Sequence, residues 1–289
     1  MKIYYYAYSG HKYGLDRVKR AVALIKELSI QGVEVNLLLN DFRAGLAARE
    51  LGIMDSVTVE TIWDIDAVAQ RGDIVFIDSP EDDKGKFKLY ADEYKPLFRV
   101  VDDCSEKSSY GEILMKPLCD DEADCLSSVL VDSSYFEPVE KEKRKLFFLG
   151  DADYNKTILS HANFFEGTGM ELLLGHYFFI KYEDDLAKLF DGLHEAEEYS
   201  ELLCSSSQVV TASAQCALDA NAASADVVYL KKPEDSVCLL QEFKRFGIKI
   251  IDGFNKEQLI EALGSSQNER KVPNSIKSII ENVVTKLNL

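Results

Sequence analysis

The chain has 289 residues, of which 46% are hydrophobic and 29% charged, the balance of a folded globular protein rather than a disordered one. Lys and Arg total 33 against 50 for Asp and Glu, so the formal charge is −17, which repels a phosphate backbone and sets aside general nucleic-acid binding. No apolar run approaches the ~20 residues of a membrane span, and the opening MKIYYYAYSG lacks the apolar core and cleavage site of a secretory leader, so a cytoplasmic protein is expected.

The first element is an Ile/Tyr run at residues 2–8, which reads as a buried strand. A polar loop at 9–16 leads into residues 17–28, where Val18, Ala21, Val22, Ile25 and Leu28 fall at helical spacing. Residues 33–39 predict a second strand, 44–51 a helix ending at Gly52, 56–59 a short strand and 65–70 a brief helix. Strands follow at 73–77, 98–101 and 113–116, the first ending at Asp78 and the second at Asp102 and Asp103. Residues 132–145 break the pattern with serines, Pro138 and a mixed-charge run, and place a boundary between domains 1–138 and 139–289.

The second half restarts with a strand at 146–149 ending in Gly150, a helix at 155–164, a strand region at 172–180 and a short helix at 186–190. A helix at 197–205, strand 208–211 and Ala-rich helix 214–223 come next, then strand 227–230, helix 237–246, strand 248–251 and helix 257–263. After a polar link, Pro273 introduces an amphipathic helix at 274–287. Alternating strands and helices predict parallel, doubly wound sheets: two Rossmann-like α/β domains facing a cleft, with a final helix.

The candidate site residues lie where strands run into helices. In an open α/β sheet, loop amides and a helix N-terminus converge there on a ligand. The loop after the first strand carries Ser9, Gly10, His11, Lys12, Gly14, Asp16 and Arg17, with Asp16 a candidate helix cap; its plain reading is an ordinary capped turn. Asp78, Asp102 and Asp103 sit at strand ends, as acids to orient a ligand or as common turn residues. In the second half, Gly150 and Asp153 lie in the GDADYNK loop, while Ser213, Ala214 and Gln215 open the helix that contains Asp219. Amides at such a helix start hold a phosphate, and an acid one turn along reaches a ribose hydroxyl; the plain reading of Asp219 is a solvated helix face. His161, His176 and His194 are scattered without metal spacing and read as structural, and the tyrosines of the first strand as core filling. The six cysteines (104, 119, 125, 204, 216 and 238) form no CxxC pair, so free thiols in a reducing compartment are expected, with no metal and no cofactor.

Taken in order, these segments resemble the nucleotide-sugar hydrolases of pseudaminic acid biosynthesis, which are similar to GT-B glycosyltransferases. Residues 14–20 (GLDRVKR) resemble the family's G-x-G-H-x-x-R loop. DIVFID at 73–78, VVDD at 100–103 and EILM at 112–115 resemble its successive strand ends. FLGDADYNK at 148–156 is similar to its G-G-x-D-x-x-N loop, and VVTASAQCALD at 209–219 to its S-x-S-x-x-x-E-A segment. The resemblance implies a GT-B-like fold with the C-terminal helix crossing back onto the first domain. It implies a nucleotide-activated sugar, UDP-linked, as the ligand, bound at Gly14, Gly150, Asp153, Ser213, Ala214, Gln215 and Asp219, without a metal. It also implies surface-glycan or flagellin-sugar biosynthesis as the setting.

Two departures matter. The family's catalytic His falls on Arg17, which cannot act as a base at neutral pH but can bind an anion. The second Gly of the later loop is Asp151, a like charge beside a diphosphate. The expected catalytic set is therefore His11 or Asp16 as base, Arg17 on the ligand's charge and Asp103 as an orienting acid. The resulting expectation is a glycosyltransferase or nucleotide-sugar hydrolase. The alternative is a non-catalytic GT-B-like protein that binds a sugar nucleotide or a partner enzyme of the pathway. An ordinary Rossmann nucleotide enzyme is disfavoured by the missing glycine fingerprint.

Overall fold

The computed structural model describes residues 1–287 apart from 82–84, 120–124, 179–181, 266–270 and 275. The first sheet contains β1 (Ile3–Ala7), β2 (Val35–Leu39), β3 (Ser56–Thr58), β4 (Ile74–Asp78), β5 (Leu97–Val100), β6 (Ile113–Lys116) and β7 (Cys125–Ser127). Among the described residues these seven strands pair in the order β3-β2-β1-β4-β5-β6-β7, all parallel. Helices α1 (Asp16–Ile30), α2 (Phe42–Glu50) and α3 (Lys86–Glu93) connect them. The second sheet contains β8 (Glu142–Phe148), β9 (Glu171–Leu173), β10 (Gly192–His194), β11 (Ser206–Thr211), β12 (Asp226–Lys231) and β13 (Lys249–Asp252), in the parallel order β10-β9-β8-β11-β12-β13. Its helices are α4 (Thr157–Ser160), α5 (Ala162–Phe165), α6 (Glu183–Leu186), α7 (Tyr199–Ser205), α8 (Ala214–Ala222), α9 (Val237–Arg245) and α10 (Lys256–Gly264). The last helix, α11 (Ile276–Leu287), packs on α1 and β7 of the first domain.

Side-chain alternation explains why both sheets are buried on both faces. In β1, Ile3, Tyr5 and Ala7 join the layer under α1 and α11, while Tyr4 and Tyr6 point into the opposite layer with Tyr90 and Tyr94. The three β1 hydroxyls find acceptors: Tyr4 on the Val68 carbonyl at 3.0 Å, Tyr5 on Asp78 at 3.1 Å and Tyr6 on Glu81 at 2.7 Å. In the second sheet Leu146, Phe148, Val209, Val227 and Tyr229 face one layer, and Phe147, Val210, Val228 and Leu230 the other.

Several expected elements differ. Residues 155–164 form two short helices because Asp153 accepts the amides of Thr157 and Ile158, starting α4 there, and the chain breaks at His161. In 172–180, pairing stops at Leu173; Gly175 turns against Asp151, and 179–180 lie outside the described residues. The helix expected at 65–70 is a 3-10 segment, Ile62–Ala67, fixed by reciprocal capping between Thr61 and Asp64. The short helix expected at 186–190 lies earlier, as α6. The sequence reading has no counterpart for α3, nor for the three-residue edge strands β7 and β10, which are too short for a periodic pattern.

The expectation of six free thiols is also corrected. Cys104 pairs with Cys238 and Cys119 with Cys125, leaving Cys204 and Cys216 as thiols. The first pair is separated by 134 residues, so the fold, not a local spacing, brings it together. Among the described residues, no helix is long and apolar enough to cross a membrane.

Candidate functional site

In each sheet the strand order reverses direction once, between β1 and β4 in the first and between β8 and β11 in the second. At such a switch point the loops at the strand ends diverge and leave a crevice. The loop after β1 and the start of α8 after β11 meet here, and α1 packs on α8.

The loop after β1 reaches the second domain because Gly14 takes a left-handed conformation, φ +66°, where a Cβ would stand 3.1 Å from a carboxylate oxygen of Asp151. The Leu15 amide donates to that oxygen at 2.8 Å, and Lys19 Nζ lies 3.2 Å from both Asp151 oxygens. Lys19 and Asp151 are both buried. The Lys19 ammonium also stands over the rings of Tyr199 (4.3 Å) and Phe148 (4.8 Å), which cover it from solvent. Burial pushes the Asp151 carboxyl up, but the Lys19 charge, His176 and the Leu15 amide outweigh it and hold it at about 2.

Asp16, expected to cap its own helix, does not. Leu15 occupies the α1 cap without a side-chain bond. The Asp16 carboxylate instead accepts from Ser213 Oγ at 2.6 Å and from the Gln215 amide at 3.3 Å, at the start of α8. The unpaired amides and positive dipole end of α8 make a better partner than solvent. Ser213 Oγ also accepts from the Cys216 amide at 3.0 Å, capping α8.

One turn along α8, the buried Asp219 accepts from Gln215 Nε2 at 2.8 Å and from the Tyr199 hydroxyl at 3.0 Å. Burial raises its carboxyl to about 7 even though both donors oppose the rise. Gln215 Nε2 donates as well to the Leu130 carbonyl at 2.9 Å. Between Lys19, Tyr135, Ser200 and Asp219 a void of about 30 Å³ remains. That is room for one or two waters, against the ~300 Å³ or more of a typical ligand pocket.

The other expected site residues are spread out. Arg17 lies 3.4 Å from Asp78 and 3.5 Å from Asp102 and stands over the Tyr13 ring at 5.6 Å. Asp78 is itself gripped by Arg20 through two bonds of 2.5 Å and by the Tyr5 hydroxyl. Beside this cluster, at the ends of β4 and β5, a cavity of about 360 Å³ is lined by Arg17, Ser79, Phe87, Arg99, Asp102 and Glu106. His11 is exposed and sets its ring edge-on to Tyr177 at 4.9 Å. Asp103 is exposed and accepts from the amide and hydroxyl of Ser105, each at 2.8 Å. His11, Asp16, Arg17 and Asp103 thus have four different sets of partners. Asp153 is committed to the α4 amides and accepts from the Tyr182 hydroxyl, Gly150 lies two residues beyond the end of β8, and Ala214 opens α8.

Three residues take part in roles the sequence does not assign them: Lys19 belongs to the candidate stretch after β1, His176 reads as structural and Tyr177 as core filling. Lys19 sits among apolar residues of α1, a signal visible in the 17–28 periodicity. His176 and Tyr177 lie on one loop that grips both ends of α2: His176 Nε2 lies 2.7 Å from Glu50, and the Tyr177 hydroxyl donates to Asp41 at 2.8 Å.

No protein-family profile and no curated protein matches this sequence. Solved structures do. A UDP-GlcNAc 2-epimerase from Methanocaldococcus jannaschii, in complex with UDP-GlcNAc and UDP, is 12% identical with a TM-score of 0.61, over 99% of this chain and 100% of that one. An S. aureus MnaA–UDP co-structure is 12% identical with a TM-score of 0.65, over 100% and 98%. A glycosyltransferase from Rickettsia africae is 11% identical with a TM-score of 0.53, over 99% and 93%. The chain therefore has a GT-B-like fold of two Rossmann-like domains.

Proposed function

We propose that this protein takes a nucleotide-activated sugar, UDP-linked, in the cleft between its domains and serves glycan biosynthesis by glycosyl transfer or by nucleotide-sugar hydrolysis, the latter as in the pseudaminic acid enzymes its sequence resembles. In this reading residues 1–138 present the acceptor or water and 139–289 hold the nucleotide. The supporting observation is Asp16 on α8: the Ser213 hydroxyl and Gln215 amide already hold an anion, and the same donors would receive a diphosphate once the domains part and Asp16 withdraws. The structural neighbours solved with UDP or UDP-GlcNAc support the ligand class. The α8 amides, with Lys19 released from Asp151, would stabilise the leaving diphosphate. Asp219 stands one turn further for a ribose hydroxyl. Arg17, held between Asp78 and Asp102, orders the first domain's mouth, which leaves His11 as the imidazole of the loop and the assigned base.

A second reading has its own support. The cleft between Lys19 and Asp219 is filled and its helix start covered by an acid, which suits a non-catalytic GT-B-like protein acting through a partner enzyme. Thermal-shift titration of the wild type and Asp16→Asn with UDP, UDP-N-acetylhexosamines, GDP, CMP and TDP separates the two. Uridine ligands are expected to stabilise the protein by about 2.7 kcal/mol at one hundred times Kd. Asp16→Asn, by removing a like charge, is expected to tighten UDP by about tenfold. If no nucleotide stabilises either protein, with or without dithiothreitol, the nucleotide-sugar reading falls and the non-catalytic one stands.

A further inference from the structure

The two domains are joined by a covalent bond far from the linker in sequence. Cys104 lies on the loop after β5 in the first domain, and Cys238 is the second residue of α9 in the second, with a Cα separation of 5.9 Å. Polar contacts flank it: Ser236 Oγ donates to the Asp102 carbonyl at 2.9 Å, and the Leu118 amide donates to Glu242. The same loop carries Asp102, whose carboxylate lies against Arg17 and Arg20 of α1, the helix whose Asp16 covers the start of α8. The loop, α1 and α9 are thus held as one closed edge of the cleft. Hydrogen bonds and ion pairs across it can exchange for water as the domains part, whereas the disulfide keeps its two Cα atoms within about 7 Å in any conformation.

We propose that thiol–disulfide exchange at Cys104–Cys238 controls opening of the cleft, the oxidised protein being held shut and the reduced protein free to open. This rests on the nucleotide-sugar reading only for what enters. The co-reactant is a dithiol. Its thiolate attacks Sγ of Cys104, the more exposed residue of the two, and the Cys104–Cys238 bond breaks. Cys238 leaves as a thiolate at the N-terminal end of α9, where the helix dipole favours it, and takes up a proton from water. The second dithiol sulfur then displaces Cys104, so two electrons pass to the protein, which gains two thiols while the reductant becomes a cyclic disulfide. The other pair, Cys119–Cys125, spans 6 residues within the first domain and crosses nothing. It serves as the internal control.

The test is hydrogen exchange at the start of α8 (residues 213–217) without ligand, in oxidised wild type, wild type treated with dithiothreitol, Cys104→Ser/Cys238→Ser and Cys119→Ser/Cys125→Ser. Reduction and the first double variant are expected to speed exchange there by at least about tenfold, and the second double variant, left oxidised at Cys104–Cys238, to leave it unchanged. Equal exchange in oxidised and reduced wild type overturns the proposal, as does mass spectrometry that finds Cys104 and Cys238 as thiols in protein isolated without reductant. Titration of both redox forms with UDP keeps the two readings apart. Faster exchange with no UDP binding leaves the redox control standing and removes the nucleotide reading, and tighter UDP binding on reduction supports both.

Discussion

The buried Asp219 makes stability depend on pH in the direction opposite to an ordinary paired carboxylate. Its carboxyl sits at about 7 in the folded protein against 3.8 when exposed, so between these values the folded state binds the extra proton and stability falls as pH rises. Integrated from pH 5 to pH 8, this group alone removes about 2.6 kcal/mol. The substitution Asp219→Asn tests it, because Asn keeps an oxygen for Gln215 Nε2 and offers an N–H to the Tyr199 oxygen while abolishing ionisation. Urea midpoints at pH 5, 6.5 and 8 are the assay. The wild type is expected to lose about 2–3 kcal/mol more than Asp219→Asn across that range, and the variant to be the more stable protein at pH 8. His176, whose imidazole is also raised, falls in the same direction but is common to both proteins and cancels in the difference. Parallel profiles for the two proteins would refute the assignment of a neutral acid at this position.

Two further outcomes follow from the same interface. Lys19→Met leaves Asp151 buried without its cation and is expected to cost about 3–5 kcal/mol in urea denaturation, whereas Lys19→Met/Asp151→Leu recovers much of that loss; a double variant no better than the single one would deny the pair its coupling. Gly175→Ala would place a Cβ 2.3 Å from the Asp151 Cα, in backbone rather than a movable side chain, so a loss of at least about 1–3 kcal/mol is expected, read as a lower melting temperature. An unchanged melting temperature would mean that the 175–177 turn does not rest on Asp151.

The frame of this molecule is legible in its sequence because local rules carry it. The apolar runs of β1, β2, β4, β8 and β11 and the helical spacing of α1 and α8 each declare themselves within a dozen residues. Ser213 declares the start of α8 through its capping chemistry. The site is less legible because its bonds are not local. Lys19 and Asp151 are 132 residues apart and Ser213 and Asp16 197, so no period or spacing links them. Asp151 looks, in sequence, like an acid set against a bound diphosphate, yet it is the counter-ion of a lysine. Asp16 looks like a cap for α1 and instead serves α8. Both arrangements have one cause: each carboxylate is satisfied by a donor from the opposite domain, which only the closed arrangement supplies.

The last helix carries a consequence for how the chain is assembled. Ile276, Ile279, Ile280 and Val283 of α11 fill the same apolar layer as Ile3, Tyr5 and Val22, near the beginning of the chain. The first domain emerges first during synthesis, yet it remains uncovered on one side until the whole second domain has followed it. Its completion therefore falls to residues made after the second domain, and a fragment ending at the linker would present that uncovered layer to water or to another chain.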